Sequence, residues 1–283
     1  MLDVALRNAF NFALRDVTLL FRKSTHTAIV GPAGCGASTL LRVVSGHLKL
    51  ARGEIIIGSR VANAIKPAAR PLLYATSALE VPGRWSVQHA LVAAVRQRTL
   101  DRVDRQHEYE LAVEQWGLRA LVERRVDSLS SSEQTLVQLA RIELLRPGVV
   151  VIDRVLERMN PAELPRVADR FYRMLRIIGA TVISAPASRI ELGLTDTVVV
   201  LDHGRVVQEA SVAELYADPS TEAVAAATGD VNVVPVTIRG NVVESVIGAW
   251  DVAHPPFSGS GIALIRPDDF SVPPPGEDSD LIF

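Results

Sequence analysis

Gly31-Pro32-Ala33-Gly34-Cys35-Gly36-Ala37-Ser38-Thr39 has the spacing of a loop that holds phosphate. The pattern is G-x-x-x-x-G-K-[ST]. Its glycines let successive backbone N–H groups turn inward onto phosphate oxygens, and the helix that follows adds the positive end of its dipole. Ser38 stands where a hydroxyl holds Mg²⁺. Ala37 stands where a lysine reaches the outer phosphates. The chain therefore has the cradle without its only full positive charge. The apolar run Val149-Val150-Val151-Ile152 ends in a carboxylate, Asp153. Asp153 taken alone is also an ordinary strand-end residue.

These residues need a strand before the loop and a helix after it. Thr27–Val30 is the strand, and Ser38–Val44 opens the helix. Val4–Phe12, Val17–Phe21, Gly53–Gly58 and Leu72–Thr76 read as further strands around them. Ser86–Arg98, Arg102–Trp116 and Ser132–Leu145 carry apolar residues at helical spacing. Val149–Asp153 is apolar throughout, as strands buried on both faces are. Pro161–Ile178 reads as a long helix, and Thr181–Ser184, Thr197–Leu201 and Val206–Glu209 as strands. Alternation of strands and helices predicts an α/β parallel sheet. Beyond about Gly229 the helices stop, and Val233–Arg239, Val242–Ile247 and Ile262–Ile265 predict a small β-domain.

Composition narrows the function classes. The chain has 283 residues, room for more than one domain. A net charge of −2 leaves no nucleic-acid footprint. The single cysteine, Cys35, argues for a reducing compartment. No apolar run approaches the ~20 residues of a membrane span, and no signal peptide is expected at the N-terminus. The six histidines show no metal-ligand spacing. The tail Asp268–Asp280, with three consecutive prolines, is expected to be solvated and poorly ordered.

The loop, the Leu129-Ser130-Ser131-Ser132-Glu133-Gln134 element and the strand ending in Asp153 occur in the order of an ABC-transporter ATP-binding subunit. Gly31–Arg42 resembles the loop G-P-S-G-C-G-K-S-T-L-L-R of sugar importers. Leu129–Gln134, followed by Leu139-Ala140-Arg141, resembles the signature L-S-G-G-Q and its helix. The run Leu201–Pro219, with Gly204, Gln208, Glu214-Leu215-Tyr216 and Pro219, resembles the stretch after the ATPase core. Asn232-Val233-Val234-Pro235 and Ile265-Arg266-Pro267-Asp268 resemble the accessory domain of carbohydrate, glycerol-phosphate and polyamine importers. The resemblance implies a P-loop ABC-type ATPase domain over 1–228, with a parallel sheet core, an antiparallel β subdomain and a helical subdomain at about 77–147. A short OB-like β accessory domain comes after it over 229–283, shorter than is usual for the family. It also implies ATP and Mg²⁺ as ligands, Gly31–Thr39 on the phosphates, and Ser38 and Asp153 on the metal. Adenine is expected to stack on Phe10, with Phe12 an equal alternative and core packing the competing role for both rings.

The departures bear on chemistry. Arg154 comes after Asp153 where the resemblance implies a water-orienting glutamate. Pro186 stands at or next to a γ-phosphate histidine, Ser77 stands for a glutamine, and Ser131 and Ser132 stand for the signature glycines. Glu157-Arg158-Met159-Asn160 replaces S-A-L-D. A positioned general base contributes typically ~10²–10⁴-fold, so the chain's own site is expected to be inactive or very weak. Ser130–Glu133 has two readings. It fits a capping box on its own helix, and it fits a signature facing phosphates bound by another subunit. The resemblance implies a peripheral protein on the cytoplasmic face of the inner membrane. Its expected partners are an intact ABC ATPase in a heterodimer, two membrane permeases docked on the helical subdomain, and through them a solute-binding protein. Two alternatives remain open: an active ATPase subunit of such an importer, and a non-catalytic regulatory protein of the same ancestry.

Overall fold

The computed structural model describes residues 2–254 and 257–269. By compactness the chain divides into Met1–Val212 and Ala213–Phe283.

The first unit is built on a six-stranded sheet. In chain order its elements are β1 (Val4–Phe10), β2 (Val17–Phe21), β3 (His26–Val30), α1 (Ala37–Ser45), β4 (Arg52–Ile57), β5 (Arg60–Val61) and β6 (Leu73–Thr76). Next come α2 (Val87–Val95), α3 (Arg102–Gln115), α4 (Ser131–Leu145), β7 (Val149–Asp153), α5 (Leu164–Ile177), β8 (Thr181–Ala185), β9 (Thr197–Asp202) and β10 (Arg205–Ala210). The main sheet runs β10-β9-β3-β8-β7-β6. It is parallel except for the β9–β10 pair. β1, β2, β4 and β5 form a separate antiparallel sheet ordered β2-β1-β4-β5.

Side chains alternate across a strand, and in β7 the alternation feeds two cores. Val150 and Ile152 pack into a core with α2–α5. Val149 and Val151 pack into a second core with α1 and the antiparallel sheet. Both faces of β7 are covered, which is why its sequence is apolar without interruption. The alternation places Asp153 on the α1 face.

The helical segment is started by caps. Ser86, Asp101 and Ser130 accept first-turn N–H groups of α2, α3 and α4. Such caps contribute ~0.5–2 kcal/mol each. α5 begins at Leu164, later than the expected Pro161. Asn160 Oδ1 takes the Ala162 N–H at 3.0 Å, and the Asn160 carbonyl takes Glu163 and Leu164 N–H, so a turn precedes the helix. Pro165 then occupies the first turn, where its missing N–H costs nothing.

The second unit holds α6 (Val212–Ala217), α7 (Glu222–Thr228), β11 (Asn232–Arg239), β12 (Val242–Ser245), β13 (Gly248–Asp251) and β14 (Gly259–Ile265). The strands form one antiparallel sheet ordered β13-β12-β11-β14. Its core is Val234, Val236, Ile238, Val243 and Ile265. The sequence pattern carries β12 on to Ile247 and gives no sign of β13. A turn at Val246-Ile247 separates the two strands, with Ser245 Oγ accepting the Ile247 N–H and donating to the Gly248 carbonyl.

Texture places a boundary at 228/229, whereas compactness groups both helices with the sheet. Arg266 explains the grouping. It is buried, and it donates to the carbonyls of Ala225, Asp230 and Tyr216 and to Thr228 Oγ1 at 2.8–3.2 Å. Its guanidinium also lies 4.2 Å from the Tyr216 ring centroid. Among the described residues no helix is long and apolar enough to cross a membrane. From residue 270 on, the expected solvated tail lies outside the described residues.

Candidate functional site

The loop after β3 is shaped by its glycines. Gly31 has φ +152°, and a Cβ there would lie 1.9 Å from the Leu201 carbonyl oxygen of the neighbouring strand. The chain passes too close to β9 for any side chain. Gly36 adopts the left-handed conformation at the start of α1, and no side chain caps that helix. Its first-turn N–H groups are therefore available to a ligand. Cys35 is buried beneath the loop, and burial pushes its thiol pKa up, which makes it inert packing. Pro32, Ala33 and Gly34 lie at the surface of the loop, and Ala37, Ser38 and Thr39 are half-buried. The loop suits the oxygens of a nucleotide's phosphates, with backbone donors and no cation.

Ser38 and Asp153 lie 115 residues apart in sequence and meet in the fold. Ser38 Oγ donates to Asp153 Oδ1 at 2.9 Å. The other oxygen, Oδ2, accepts from the hydroxyl of Tyr74 at 3.0 Å. Tyr74 sits on β6, where it pairs in register with Val151 while Asp153 pairs with Thr76. Tyr74 and Asp153 are thus diagonal neighbours on the α1 face, within reach for a long aromatic side chain. Arg42 of α1 lies close enough to the phenol to oppose the rise in its pKa, and the His47 ring tilts against the Tyr74 ring with centroids 4.9 Å apart. Burial first, and the Asp153 carboxylate second, push the Tyr74 pKa up to about 12, so the phenol keeps its proton and donates it. Ser38 and Asp153 have the hard oxygen donors that Mg²⁺ requires. Both oxygens of the carboxylate are nevertheless already bonded. Sequence reasoning missed Tyr74, Arg42 and His47. The signal was the face of β6, obtained by counting alternation back from the Thr76–Asp153 level.

Arg154 and Pro186, which directly follow β7 and β8, are differently arranged. Arg154 has φ +53°, donates its N–H to the Ala185 carbonyl at 2.9 Å, and pairs its exposed guanidinium with Glu157 at 2.8 Å. A guanidinium has no acceptor with which to orient water. Pro186 comes directly after β8. The Ala187 and Ser188 N–H groups beyond it donate to buried Glu191 Oε1 at 2.7 and 3.0 Å, which fixes the path of this loop.

Core packing does not hold the two phenylalanines: Phe10 is 37% exposed and Phe12 83%. The register of β1 shifts between Leu6 and Ala9, at Asn8 with φ +48°. This bulge advances the inward positions from Leu6 to Ala9 and turns Phe10 outward. The Arg52 guanidinium lies over the Phe10 ring at 4.6 Å.

The signature element begins α4. Ser130 Oγ accepts the Glu133 N–H at 3.3 Å and Glu133 Oε2 accepts the Ser130 N–H at 2.7 Å, a complete capping box. That backbone bond lowers the Glu133 pKa. Ser131 is exposed and Leu129 is buried. Ser132 Oγ accepts the Asn160 N–H at 3.0 Å and so ties the start of α4 to the loop after β7.

A parallel sheet, a glycine loop feeding an uncapped helix, and a hydroxyl–carboxylate pair at the loop's base define a phosphate-loop nucleotide-binding domain. The chain matches the ABC transporter family over residues 14–156, half of its length. It belongs to that family. It is 27% identical over 264 residues to an sn-glycerol-3-phosphate import ATP-binding protein of Rhizobium meliloti, covering 92% of this chain and 74% of the relative. It is 28% identical over 240 residues to an Fe(3+) ions import ATP-binding protein of Streptomyces avermitilis, covering 84% and 70%. Among solved structures it resembles an ATP-binding cassette of an ABC transporter in its ADP conformation, with a TM-score of 0.66 and 20% identity over 80% of this chain and 99% of that one. A dimeric cassette in a post-hydrolysis state bound to ADP and phosphate gives 0.63, at 17% identity, over 74% and 98%. These structural likenesses establish the fold.

Proposed function

We propose that this chain is the ATP-binding subunit of a bacterial solute importer of the sugar or polyol type, that its own catalytic site is spent, and that it completes the site of an intact ATPase partner. The observation that carries the reading is the joint replacement around an assembled loop. Ala37 gives no cation, Arg154 no base, and Pro186 no side-chain donor or acceptor. Phosphoryl transfer depends on positioning and charge, so losing these groups together removes the chemistry while leaving the binding fold. Gly31–Thr39 would hold the phosphates, and Phe10 would meet the adenine with the face that Arg52 does not cover. Ser38 and Asp153 stand where Mg²⁺ sits in an intact site, and this chain's own hold on the ion would be weak or lost. Ser130 and the N-terminus of α4 would face the nucleotide of the partner. The helical segment 77–147 would dock two permeases at the cytoplasmic face of the membrane, with a solute-binding protein reached through them. Residues 1–228 would form the ATP-binding domain and 229–283 an accessory domain that stabilises the pair. The relatives' substrates, glycerol-3-phosphate and Fe(3+), differ in chemistry and do not select this chain's solute.

One observation favours an active site in this chain: Ser38 and Asp153 remain together at 2.9 Å. Co-purification from the native source, then measurement of phosphate release, separates the readings. An intact ATPase plus permeases, with no turnover by this chain alone, is the expected result. A copy of itself plus permeases, with turnover abolished by Asp153→Asn, would support the active reading. Recovery with no membrane partner would point to a regulatory protein.

A further inference from the structure

We propose that Tyr74 is a latch on the metal carboxylate, and that this chain takes nucleotide phosphate without a divalent ion. The proposal rests on the reading of Gly31–Thr39 as a nucleotide loop.

Asp153 ends β7 on the α1 face and is 9% exposed. Its two oxygens are held from opposite sides, Oδ1 by the Ser38 hydroxyl at 2.9 Å and Oδ2 by the Tyr74 hydroxyl at 3.0 Å. Both donors are neutral. A hydrated Mg²⁺ keeps several waters and demands near-octahedral geometry at short range. To engage Asp153, the ion or its water must displace a donor already in place. Ser38 is no obstacle, because its hydroxyl turns from carboxylate to metal within the same site. Tyr74 is different. Its ring is braced by His47 at 4.9 Å, and its backbone is fixed in β6 opposite Val151. Swinging the phenol away breaks its bond to the carboxylate and opens the packing behind it.

The charge around the loop points the same way. Arg42 of α1 places a cation near the phenol. A cation so placed repels Mg²⁺. Tyr74 does not touch nucleotide. It acts through Asp153 and is a positioning residue.

The test measures ATP affinity by displacement of a fluorescent ATP analogue from the full chain, once with Mg²⁺ and once with EDTA. The wild-type ratio of the two affinities is expected to stay within about threefold, small beside a single hydrogen bond to a charged group. Tyr74→Phe removes one hydroxyl and keeps the ring. It is expected to raise the Mg²⁺ effect to about ten- to hundredfold, the range of that bond, with affinity in EDTA unchanged. Adding Asp153→Asn to Tyr74→Phe is expected to abolish the gained response to Mg²⁺. Thermal melting of each variant controls for folding. A wild-type affinity that rises tenfold or more with Mg²⁺, or a Tyr74→Phe protein no more Mg²⁺-responsive than wild type, overturns the latch and leaves the nucleotide loop standing. ATP binding absent in both conditions overturns the latch and the nucleotide reading together.

Discussion

Replacing Ala37 by lysine returns to the loop the charge it lacks, and the structure sets the size of the effect. Ala37 is the first residue of α1, half-buried at the edge of the core beneath the loop. A lysine there can lay its stem along that apolar edge and keep its ammonium in water. In the free protein the charge stands at a helix N-terminus, where the dipole disfavours a cation by ~0.3–1 kcal/mol. Urea unfolding without nucleotide should register that loss. With ATP present the sign reverses, because an ammonium on a phosphate oxygen contributes ~1.5–3 kcal/mol. Affinity should therefore rise by about ten- to a hundredfold, read by displacement of a fluorescent analogue. Phosphate release should stay at background, since Arg154 still stands at the base position and offers no acceptor. Unchanged affinity would refute the loop as a phosphate site. Steady turnover by the single variant would refute the claim that the missing carboxylate matters.

Other expectations rest on single contacts. Gly31→Ala should destabilise by at least ~3 kcal/mol, because its methyl would sit 1.9 Å from a backbone oxygen. Gly34→Ala meets nothing within 4 Å and should cost only the ~1–2 kcal/mol of its left-handed φ. Equal urea midpoints for the two would contradict the close approach of the loop to β9. His26 is buried with Nδ1 bonded to the Leu194 carbonyl and Nε2 to Ser184 Oγ, and its ring stacks on Tyr172. Burial lowers its pKa from 6.5 to about 4, so the unfolded chain binds the proton first and stability falls as pH drops through that window, by up to about 3 kcal/mol. Asp196 opposes this shift and Arg176 supports it. Glu191, bonded to Tyr172 and raised by burial, acts with the opposite sign. Denaturation at pH 7 and pH 5 should show the loss in wild type and a flatter slope in His26→Gln, and an equal slope in both would refute the assignment.

The strands of the main sheet were legible because burial on both faces leaves an unbroken apolar run, as in Val149–Asp153. The loop was legible because its glycines carry the pattern, and Gly31 meets the reason for one of them in the Leu201 carbonyl. Phe10 was not, because a one-residue bulge at Asn8 reverses which side chains face in, and alternation counted straight through gives the wrong face. The start of α5 is displaced for a local reason: Asn160 makes a turn that uses the same N–H groups a helix would. β13 has only Trp250 half-buried along its length and so carries no alternating signal. Tyr74 was hidden by distance, since its partner lies 79 residues away and only strand register joins them.

The central claim is that this chain serves its partner's site and has lost its own. Ser130, at the start of α4, and Ser38, at the base of the loop, separate the two roles. In the purified transporter complex, phosphate release should fall with Ser130→Ala and change little with Ser38→Ala, at matched thermal stability because losing the cap alone costs ~0.5–2 kcal/mol. Release that survives Ser130→Ala and collapses with Ser38→Ala would place the working site in this chain and contradict the account.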